Sequence, residues 1–414
     1  MFSFLNDFKK IEQQVMSVVI AEFFIQLVNA TFMNILPLYM SREGYSNEEI
    51  ALYITFRFLG VFVLAVPFGY FIKGRKLAKF FYISSFCVPF FGLGIVFAIG
   101  LKIKWLIILS LLLWGASFTF MQIPVSPFIL RNSHKSNHTA GISLSYSTWS
   151  FAGIISGVLI AILDFINPEL FNERNILILF SVMAFAGLPF LMRTKFNEHV
   201  EINTSHEKKS APTDWPLIIK GLVPTLIIAT GAGLTIPFIS LFFEKVHHLE
   251  KGGFSVISSI AAVLVAYGAM LVPKIKSEIG YKIAIPTTQS LAVISLVALA
   301  TTQFYSQYSV ALYVAIVCYL LRQPLMNMAG PMTSELVLNY VGKNNREITS
   351  ALTAAIWSGS WVISGFMVKV MFAQGFAFVN VFLITSALYA FGVLTYYGLI
   401  LDYIKREKKG LIDT

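Results

Sequence analysis

The sequence predicts an all-α protein that crosses a membrane about twelve times. Of its 414 residues, 57% are hydrophobic and 13% are charged, and the mean hydropathy is +0.73. A soluble domain carries roughly a quarter charged residues. A chain of this composition cannot bury its apolar side chains and keep a polar exterior in water, so lipid must form part of its solvent.

The apolar runs indicate helices rather than a β-barrel. Backbone groups in hydrocarbon must be hydrogen-bonded within the protein, which only helices and closed barrels achieve. Barrel strands alternate apolar and polar residues over about ten positions. The runs here are continuous and about twenty residues or longer, the length that crosses a hydrocarbon core of about 30 Å.

A polar segment at 194–214 divides the predicted spans into two groups of six. It separates an N-terminal six-helix bundle at 1–193 from a C-terminal six-helix bundle at 215–414, and we expect it to form a central cytoplasmic loop. The predicted spans are 15–38, 48–72, 78–100, 104–130, 138–164, 174–193, 215–243, 252–274, 281–303, 308–340, 346–373 and 376–404.

Lysine and arginine residues fall mainly on one predicted side of the membrane. That side collects 21 of them, the opposite side collects 7, and the remaining three are Arg57, Lys220 and Arg322 within the spans. Cytoplasmic loops carry an excess of positive residues, so we expect both termini in the cytoplasm. Short loops also account for the net charge of +10, so no nucleic-acid partner is expected.

An internal repeat relates the two halves. The segment 147–157 in the fifth span and the segment 355–365 in the eleventh share Trp, Ser, Ile, Ser and Gly at an offset of 208 positions. Small residues also match by chance in apolar helices. Parallel repeats of six helices are nevertheless one way to build a transporter with its substrate between the halves.

No sequence pattern indicates an enzyme, a metal site or a nucleotide-driven pump. The 6 histidines fall in predicted loops and lack clustered Cys or acidic partners, so we expect neither a metal nor a cofactor. The chain has no Gly-x-x-x-x-Gly-Lys-Ser/Thr phosphate loop and no potassium-filter sequence. A membrane enzyme acting on lipid would need His, Asp or Ser clustered at one membrane face, and none is visible.

The turn after the second span resembles a loop of the major facilitator superfamily. That family carries Gly-x-x-x-Asp-Arg-x-Gly-Arg-Lys at this place, and segment 69–76 looks like a shortened version with Lys73 near the site of the missing acidic residue. The resemblance implies that this turn takes part in the conformational change. The residues that it retains are Gly69, Gly74, Arg75 and Lys76.

Two further segments, 231–238 in the seventh span and 322–331 in the tenth, are similar to a broad prokaryotic branch of the same superfamily. The resemblance covers essentially the whole chain and implies two pseudo-symmetric six-helix bundles with alternating access. Drug/proton antiporters of the family carry an Arg in the fourth span, upstream of a Gly, whereas only Leu and Trp precede Gly115 here. The Gly-Pro motif of their fifth span is also absent, which weakens a multidrug-efflux interpretation.

The first span carries a polar stripe. Glu22, Gln26 and Asn29 are spaced by four and three residues, which places them on one helix face. An ionisable group at the bilayer centre costs at least about 2.5 kcal/mol, so Glu22 needs a reason to be there. It is a candidate proton carrier, and Gln26 and Asn29 are candidate substrate ligands. The structural alternative is a Glu22 bonded to a neighbouring helix or to Arg57.

One arginine lies near the middle of a span in each half, Arg57 in the second span and Arg322 in the tenth. The guanidinium fork suits carboxylate or phosphate, so both are candidate ligands of an anionic substrate. Arg57 has an alternative role as a brace paired with Glu22. Arg322 has no acidic residue within one helical turn. Lys220, closer to the cytoplasmic face, would add a further positive charge.

Aromatic, glycine and proline residues suggest the remaining parts of a cavity. Trp149 and Trp357 are candidate wall residues, with generic packing as the alternative. Glycines and prolines in the segments 231–238 and 322–331 predict kinked or unwound helix, a feature of transporter binding sites that is also common in membrane helices generally.

These features favour a secondary transporter that moves a small organic solute by alternating access. The arginines favour an anionic solute, and proton coupling through Glu22 is a hypothesis. A drug or metabolite efflux antiporter is the alternative within this class. An integral membrane enzyme acting on lipid, or a transport-dead sensor, is the alternative from another class. We expect a monomer in the inner membrane of a prokaryote, with a small molecule, protons and lipid as its partners.

Overall fold

The computed structural model describes residues 11–45, 47–198, 213–249 and 251–410. Within these ranges the chain forms thirteen α-helices joined by turns and short 3₁₀ segments. In chain order the helices are α1 (Gln13–Arg42), α2 (Asn47–Ile72), α3 (Ala78–Gly100), α4 (Lys104–Asn132), α5 (His138–Ile166), α6 (Glu173–Ala184), α7 (Gly187–Met192), α8 (Trp215–Thr235), α9 (Ile239–His247), α10 (Lys251–Thr301), α11 (Ser309–Tyr340), α12 (Arg346–Ala373) and α13 (Phe378–Lys408).

The helices follow the predicted spans closely. Among the described residues, ten helical segments are long and apolar enough to cross a membrane by length and composition. One of them, Val256–Tyr305, is 50 residues long and covers two predicted spans. Helix α12 is not among the ten, but it coincides with the eleventh predicted span, 346–373. Counted in this way, the helices account for all twelve predicted spans.

Helix α10 is two helices joined at a sharp turn. Gly280 has φ 65° and ψ 173° at the junction, a left-handed backbone conformation that glycine adopts without the steric penalty of a Cβ. The turn falls between the predicted spans 252–274 and 281–303. The turn at Gly280 therefore separates the two predicted spans.

Kinked or unwound helix was predicted for the seventh and tenth spans, and the structure breaks the seventh while the tenth stays helical without unwinding. Helix α8 ends at Thr235, a 3₁₀ segment covers Ile236–Phe238, and α9 begins at Ile239. Helix α11, by contrast, continues through both Pro324 and Pro331. Prolines are tolerated in membrane helices because neighbouring groups satisfy the freed carbonyls.

The described residues divide into two compact units. One contains residues 11–198 together with 350–355, and the other contains 213–349 together with 356–410. Most of the predicted central loop, residues 199–212, lies outside the described residues. The domain boundary at 194–214 therefore stays a prediction.

In the first unit, α2 and α4 approach so closely that their backbones touch through glycine. A Cβ added at Gly115 would lie 2.1 Å from the carbonyl oxygen of Arg57, and one at Gly60 would lie 2.3 Å from the carbonyl oxygen of Leu112. Small residues let membrane helices approach in this way. This contact places the backbone of Arg57 directly against α4, next to Trp114.

Two of the histidines expected in solvated loops are buried at helix ends, which corrects that expectation. His138 begins α5 and is 6% exposed, and its Nε2 lies 3.2 Å from the carbonyl oxygen of Ser133. His247 ends α9 and lies 2.9 Å from the hydroxyl of Thr302. Each ring therefore packs into a helix terminus instead of projecting into water.

Candidate functional site

Arg57 is buried in the first unit, and no carboxylate among the described residues contacts it. Its side chain is 6% exposed. Its Nη2 donates to Oδ1 of Asn29, and its Nη1 lies 2.7 Å from the sulfur of Met33. The guanidinium carbon stands 4.5 Å from the ring centre of Trp114 and 5.7 Å from that of Phe118. The contacts described for this positive charge are thus neutral acceptors and ring faces.

The polar stripe of the first span divides into two parts. Asn29 is fully buried and donates to Oε1 of Gln26 at 3.0 Å, so these two residues form a chain that ends on Arg57. Glu22 belongs to a separate contact, because its Oε2 accepts from the hydroxyl of Ser145 on α5 at 2.6 Å. The structure shows no ion pair between Glu22 and Arg57, so the proposed brace between them is wrong.

A small pocket opens beside the guanidinium of Arg57. Its volume is about 20 Å³. Helices α1, α2 and α4 form its walls, which are apolar apart from the arginine. The lining residues are Phe32, Met33, Leu36, Arg57, Leu111 and Trp114.

Arg322 is the buried arginine of the second unit. It lies on α11 and is 1% exposed. Its Nη2 donates to the hydroxyl of Tyr389 on α13 at 3.3 Å, and its Nε has no hydrogen-bond partner among the described residues. Gly231 on α8 makes room for the ring, because a Cβ there would lie 2.9 Å from Cε1 of Tyr389. The glycine-rich segment of the seventh span thereby supports the residue that contacts Arg322.

The two predicted tryptophans differ in burial. Trp149 on α5 is 53% exposed, and Trp357 on α12 is half-buried. No described contact connects either of them with Arg57 or Arg322. Their assignment as cavity walls stays a prediction.

The carboxylate of Glu198 accepts hydrogen bonds at the end of the basic turn after α2. The resemblance of this turn to the family's loop motif did not identify Glu198 as its partner. Oε2 and Oε1 of Glu198 accept from the backbone N–H groups of Leu77 and Ala78 at 2.6 and 2.8 Å. These groups begin α3, where a negative charge is favoured by the unpaired N–H groups and the helix dipole. In the same turn burial lowers the pKa of Lys73. The turn itself lacks an acidic residue. Glu198, from a distant part of the same unit, supplies one.

Replacing Glu198 by alanine is expected to lower the free energy of unfolding by about 1 kcal/mol, as loss of a helix-capping side chain does. Both N–H groups at the start of α3 would lose their acceptor. The check is the melting temperature of purified protein, compared with Glu169→Ala, which removes an exposed carboxylate from the same unit. Equal melting temperatures for the two variants would contradict this role.

A network of charged and polar side chains connects helices of the second unit, and the sequence analysis did not predict it. Oδ2 of Asp402 accepts from Lys220 at 2.8 Å, from the hydroxyl of Tyr340 at 2.6 Å and from Arg406 at 3.1 Å. Lys220 therefore adds no unpaired charge, which corrects the expectation for it. The sequence did contain a signal for this network, because Asp402 is a carboxylate inside a predicted span.

A second ion pair lies in the same unit. Nζ of Lys276 donates to Oε1 of Glu335 at 2.7 Å, and that carboxylate is almost wholly buried. Lys276 also stands 4.7 Å from the ring centre of Tyr281. Buried charges are costly unless paired. Lys220 and Lys276 are each paired with a carboxylate, whereas the described partner of Arg322 is a tyrosine hydroxyl.

Comparison with known proteins identifies the fold and the family. The sequence profile of the Major Facilitator Superfamily matches residues 18–365. No match was found among curated protein sequences.

Three solved structures are similar in fold. A bacterial homologue of the iron transporter ferroportin in an outward-facing state has a TM-score of 0.73 at 13% identity, over 95% of this chain and 100% of that one. A variant of the Escherichia coli fucose:proton symporter FucP has 0.73 at 14%, over 93% and 98%. The proton:xylose symporter XylE, bound to 6-bromo-6-deoxy-D-glucose, has 0.75 at 12%, over 94% and 96%.

The predicted fold class, an all-α membrane protein of about twelve helices, is confirmed by these similarities and by the helices described above. The apolar helices and the family profile together make this an integral, multi-pass membrane protein. Because the profile covers most of the sequence, the chain belongs to the Major Facilitator Superfamily, whose members are transporters and not enzymes.

Proposed function

We propose that this protein is a secondary transporter that moves a small organic anion across the cytoplasmic membrane by alternating access. The observation that carries the proposal is Arg322. It is 1% exposed, it contacts Tyr389 through a single hydrogen bond, and its Nε lacks a partner among the described residues. An unpaired buried cation is costly, and an anionic ligand would supply the missing partner.

Arg57 supports the same charge preference from the other unit. Its described partners are an amide oxygen, a sulfur and aromatic rings, none of which carries a negative charge. The Gln26–Asn29 chain orients the guanidinium by accepting its Nη2 hydrogen bond. In the proposed role, each arginine binds an anionic group within its own unit, and Trp149 and Trp357 are candidate apolar wall residues of their respective units.

Glu22 is the proposed coupling residue. It is 6% exposed in α1, and its carboxylate is contacted by the hydroxyl of Ser145 and by no described cation. A carboxyl group in such surroundings can take up and release a proton as access to water alternates. We further propose that both termini are cytoplasmic, since the positive residues are concentrated on that predicted side.

A binding screen on purified protein tests the anionic substrate. We expect a subset of small organic acids to raise the melting temperature of the wild-type protein, while neutral sugars of similar size leave it unchanged. A ligand that binds only the folded state at about 100 times its Kd stabilises it by about 2.7 kcal/mol. Stabilisation by neutral sugars alone would contradict the proposal.

Variants of Arg322 then test the site. Arg322→Lys keeps the charge and loses the planar fork, and should weaken binding of the selected acid about tenfold. Arg322→Ala removes the charged hydrogen bonds as well and should weaken it about a hundredfold. Lys274→Ala, which removes an exposed lysine from the same unit, is the matched control. Equal affinity of wild type and Arg322→Ala would exclude this arginine as an anion ligand.

A further inference from the structure

Two residues that line the pocket beside Arg57 carry unpaired hydrogen-bond donors. Nε of Arg57 and Nε1 of Trp114 are both buried, and neither has a partner within the described part of the chain. Arg57 is 6% exposed and Trp114 is 1% exposed. A buried donor left without an acceptor costs about 1–3 kcal/mol. Two such donors on neighbouring residues that line one pocket therefore point to an acceptor group that is bound beside them in use.

We infer that this pocket, formed by α1, α2 and α4, binds one carboxylate group, with Arg57 and Trp114 as its donors. The inference deepens the proposed function, because it names the anionic group of the substrate. A carboxylate carries one negative charge and two oxygens. The residues that line the pocket offer one positive charge and two unpaired N–H groups, which match the single charge and the two oxygens of a carboxylate.

Phosphate fits this pocket less well than carboxylate. A phosphate group brings a second negative charge and further oxygens, which would face the apolar side chains of Phe32, Leu36 and Leu111 without donors. Charge and hydrogen-bond matching thus favour a carboxylate group over a phosphate group at this pocket.

The surrounding contacts hold the guanidinium ready for a ligand. Asn29 and Met33 bind its two terminal nitrogens, and the Trp114 ring supports its face at 4.5 Å. Gly115 brings the backbone of Arg57 against α4 and so keeps the two donor residues together. A preorganised cation loses less freedom when the ligand binds.

The test uses formate, the smallest carboxylate, with the full-length protein in detergent. Sodium formate, sodium chloride and sodium phosphate are titrated separately at constant ionic strength, and the melting temperature and tryptophan fluorescence are recorded. We expect formate to raise the melting temperature and phosphate to have no such effect. A chloride effect equal to that of formate would show a site for any small anion and would overturn the carboxylate assignment, as would an absent formate effect.

Variants locate the bound formate. Trp114→Phe keeps an aromatic ring but loses the N–H group, and should weaken formate binding about tenfold. Arg57→Gln should abolish it, whereas Arg42→Gln, which removes an exposed arginine paired with Glu173 in the same unit, should leave it intact. If Arg57→Gln does not fold, Trp114→Phe still decides, since formate binding as tight as in the wild type would overturn the inference.

The inference and the proposed function fail in different ways. Formate binding that survives Arg57→Gln and is lost in Arg322→Ala would overturn the pocket assignment while leaving the anionic substrate in place. Formate binding that depends on Arg57, combined with an organic-acid screen that gives no Arg322-dependent binding, would support the pocket and contradict the proposed role of Arg322.

Discussion

Gly115→Ala is expected to destabilise the first unit more than a glycine-to-alanine substitution at any other described glycine of that unit. The added Cβ would lie 2.1 Å from the carbonyl oxygen and 3.0 Å from the carbonyl carbon of Arg57. Both atoms belong to backbone, so no side-chain rotation relieves the overlap, and α2 and α4 must separate. Overpacking typically costs about 1–3 kcal/mol, and a backbone overlap this close belongs at the upper end of that range.

The measurement is thermal unfolding of the purified variant, with Gly153→Ala as control. Gly153 is a helical glycine of α5 in the same unit, and a Cβ there would meet nothing within 4 Å. Alanine is the better helix former by about 1 kcal/mol, so the control should be neutral or slightly stabilised. Matching melting temperatures for Gly115→Ala and Gly153→Ala would show that the α2–α4 contact is looser than described.

Gly115→Ala should also change the neighbouring pocket. Separation of α2 from α4 moves the backbone of Arg57 relative to Trp114, which stands on the same helix as Gly115. We therefore expect the protein that does fold to bind formate more weakly than the wild type, although no donor has been removed. Unaltered formate affinity in this variant would mean that the pocket does not depend on the helix contact.

Replacing Glu22 by glutamine is expected to abolish uphill, pH-driven accumulation of the substrate while exchange continues. Glutamine keeps the size and a carbonyl acceptor for the hydroxyl of Ser145, which donates to Glu22 at 2.6 Å. It cannot take up a proton in the pH range of transport. Binding and exchange need no net proton movement, so they should persist, whereas accumulation against a gradient loses its driving force.

Proteoliposomes loaded at a different pH from the outer buffer measure this directly, using an acid selected in the binding screen. Glu169→Gln, which neutralises an exposed glutamate of the same unit, is the control and should accumulate substrate as the wild type does. Accumulation by Glu22→Gln at the wild-type level would remove Glu22 as the proton carrier. Loss of exchange as well would indicate a structural role for the Glu22–Ser145 contact.

Length and hydropathy were sufficient to predict the spans, because a membrane helix must satisfy its own backbone and present about twenty apolar residues. The predicted ends of the second span, at 48 and 72, agree with α2 (Asn47–Ile72) to within a residue. The break in the seventh span could also be predicted from the sequence, because Pro237 lacks the backbone N–H donor that a continuous helix requires. The two prolines of α11 show the limit of that signal, because the helix continues through them.

The sequence did not reveal which side chains contact each other across helices. The polar spacing in the first span suggested one stripe, yet Asn29 contacts Arg57 while Glu22 contacts Ser145. Lys220 and its partner Asp402 are 182 positions apart, and Arg322 and Tyr389 are 67 apart. Nothing in the local pattern around any of these residues identifies the other.

By itself the sequence determined which segments are apolar and long enough to span a membrane, that Arg57 and Arg322 would be costly within them, and that Arg322 has no acidic neighbour along its own helix within one turn. Only the tertiary structure decided that Arg57 rests on Trp114 instead of pairing with Glu22. The reason is geometric. Helical spacing fixes which side chains share a face, but the rotation of each helix and its closeness to the next depend on contacts such as Gly60 and Gly115 against the opposite backbone.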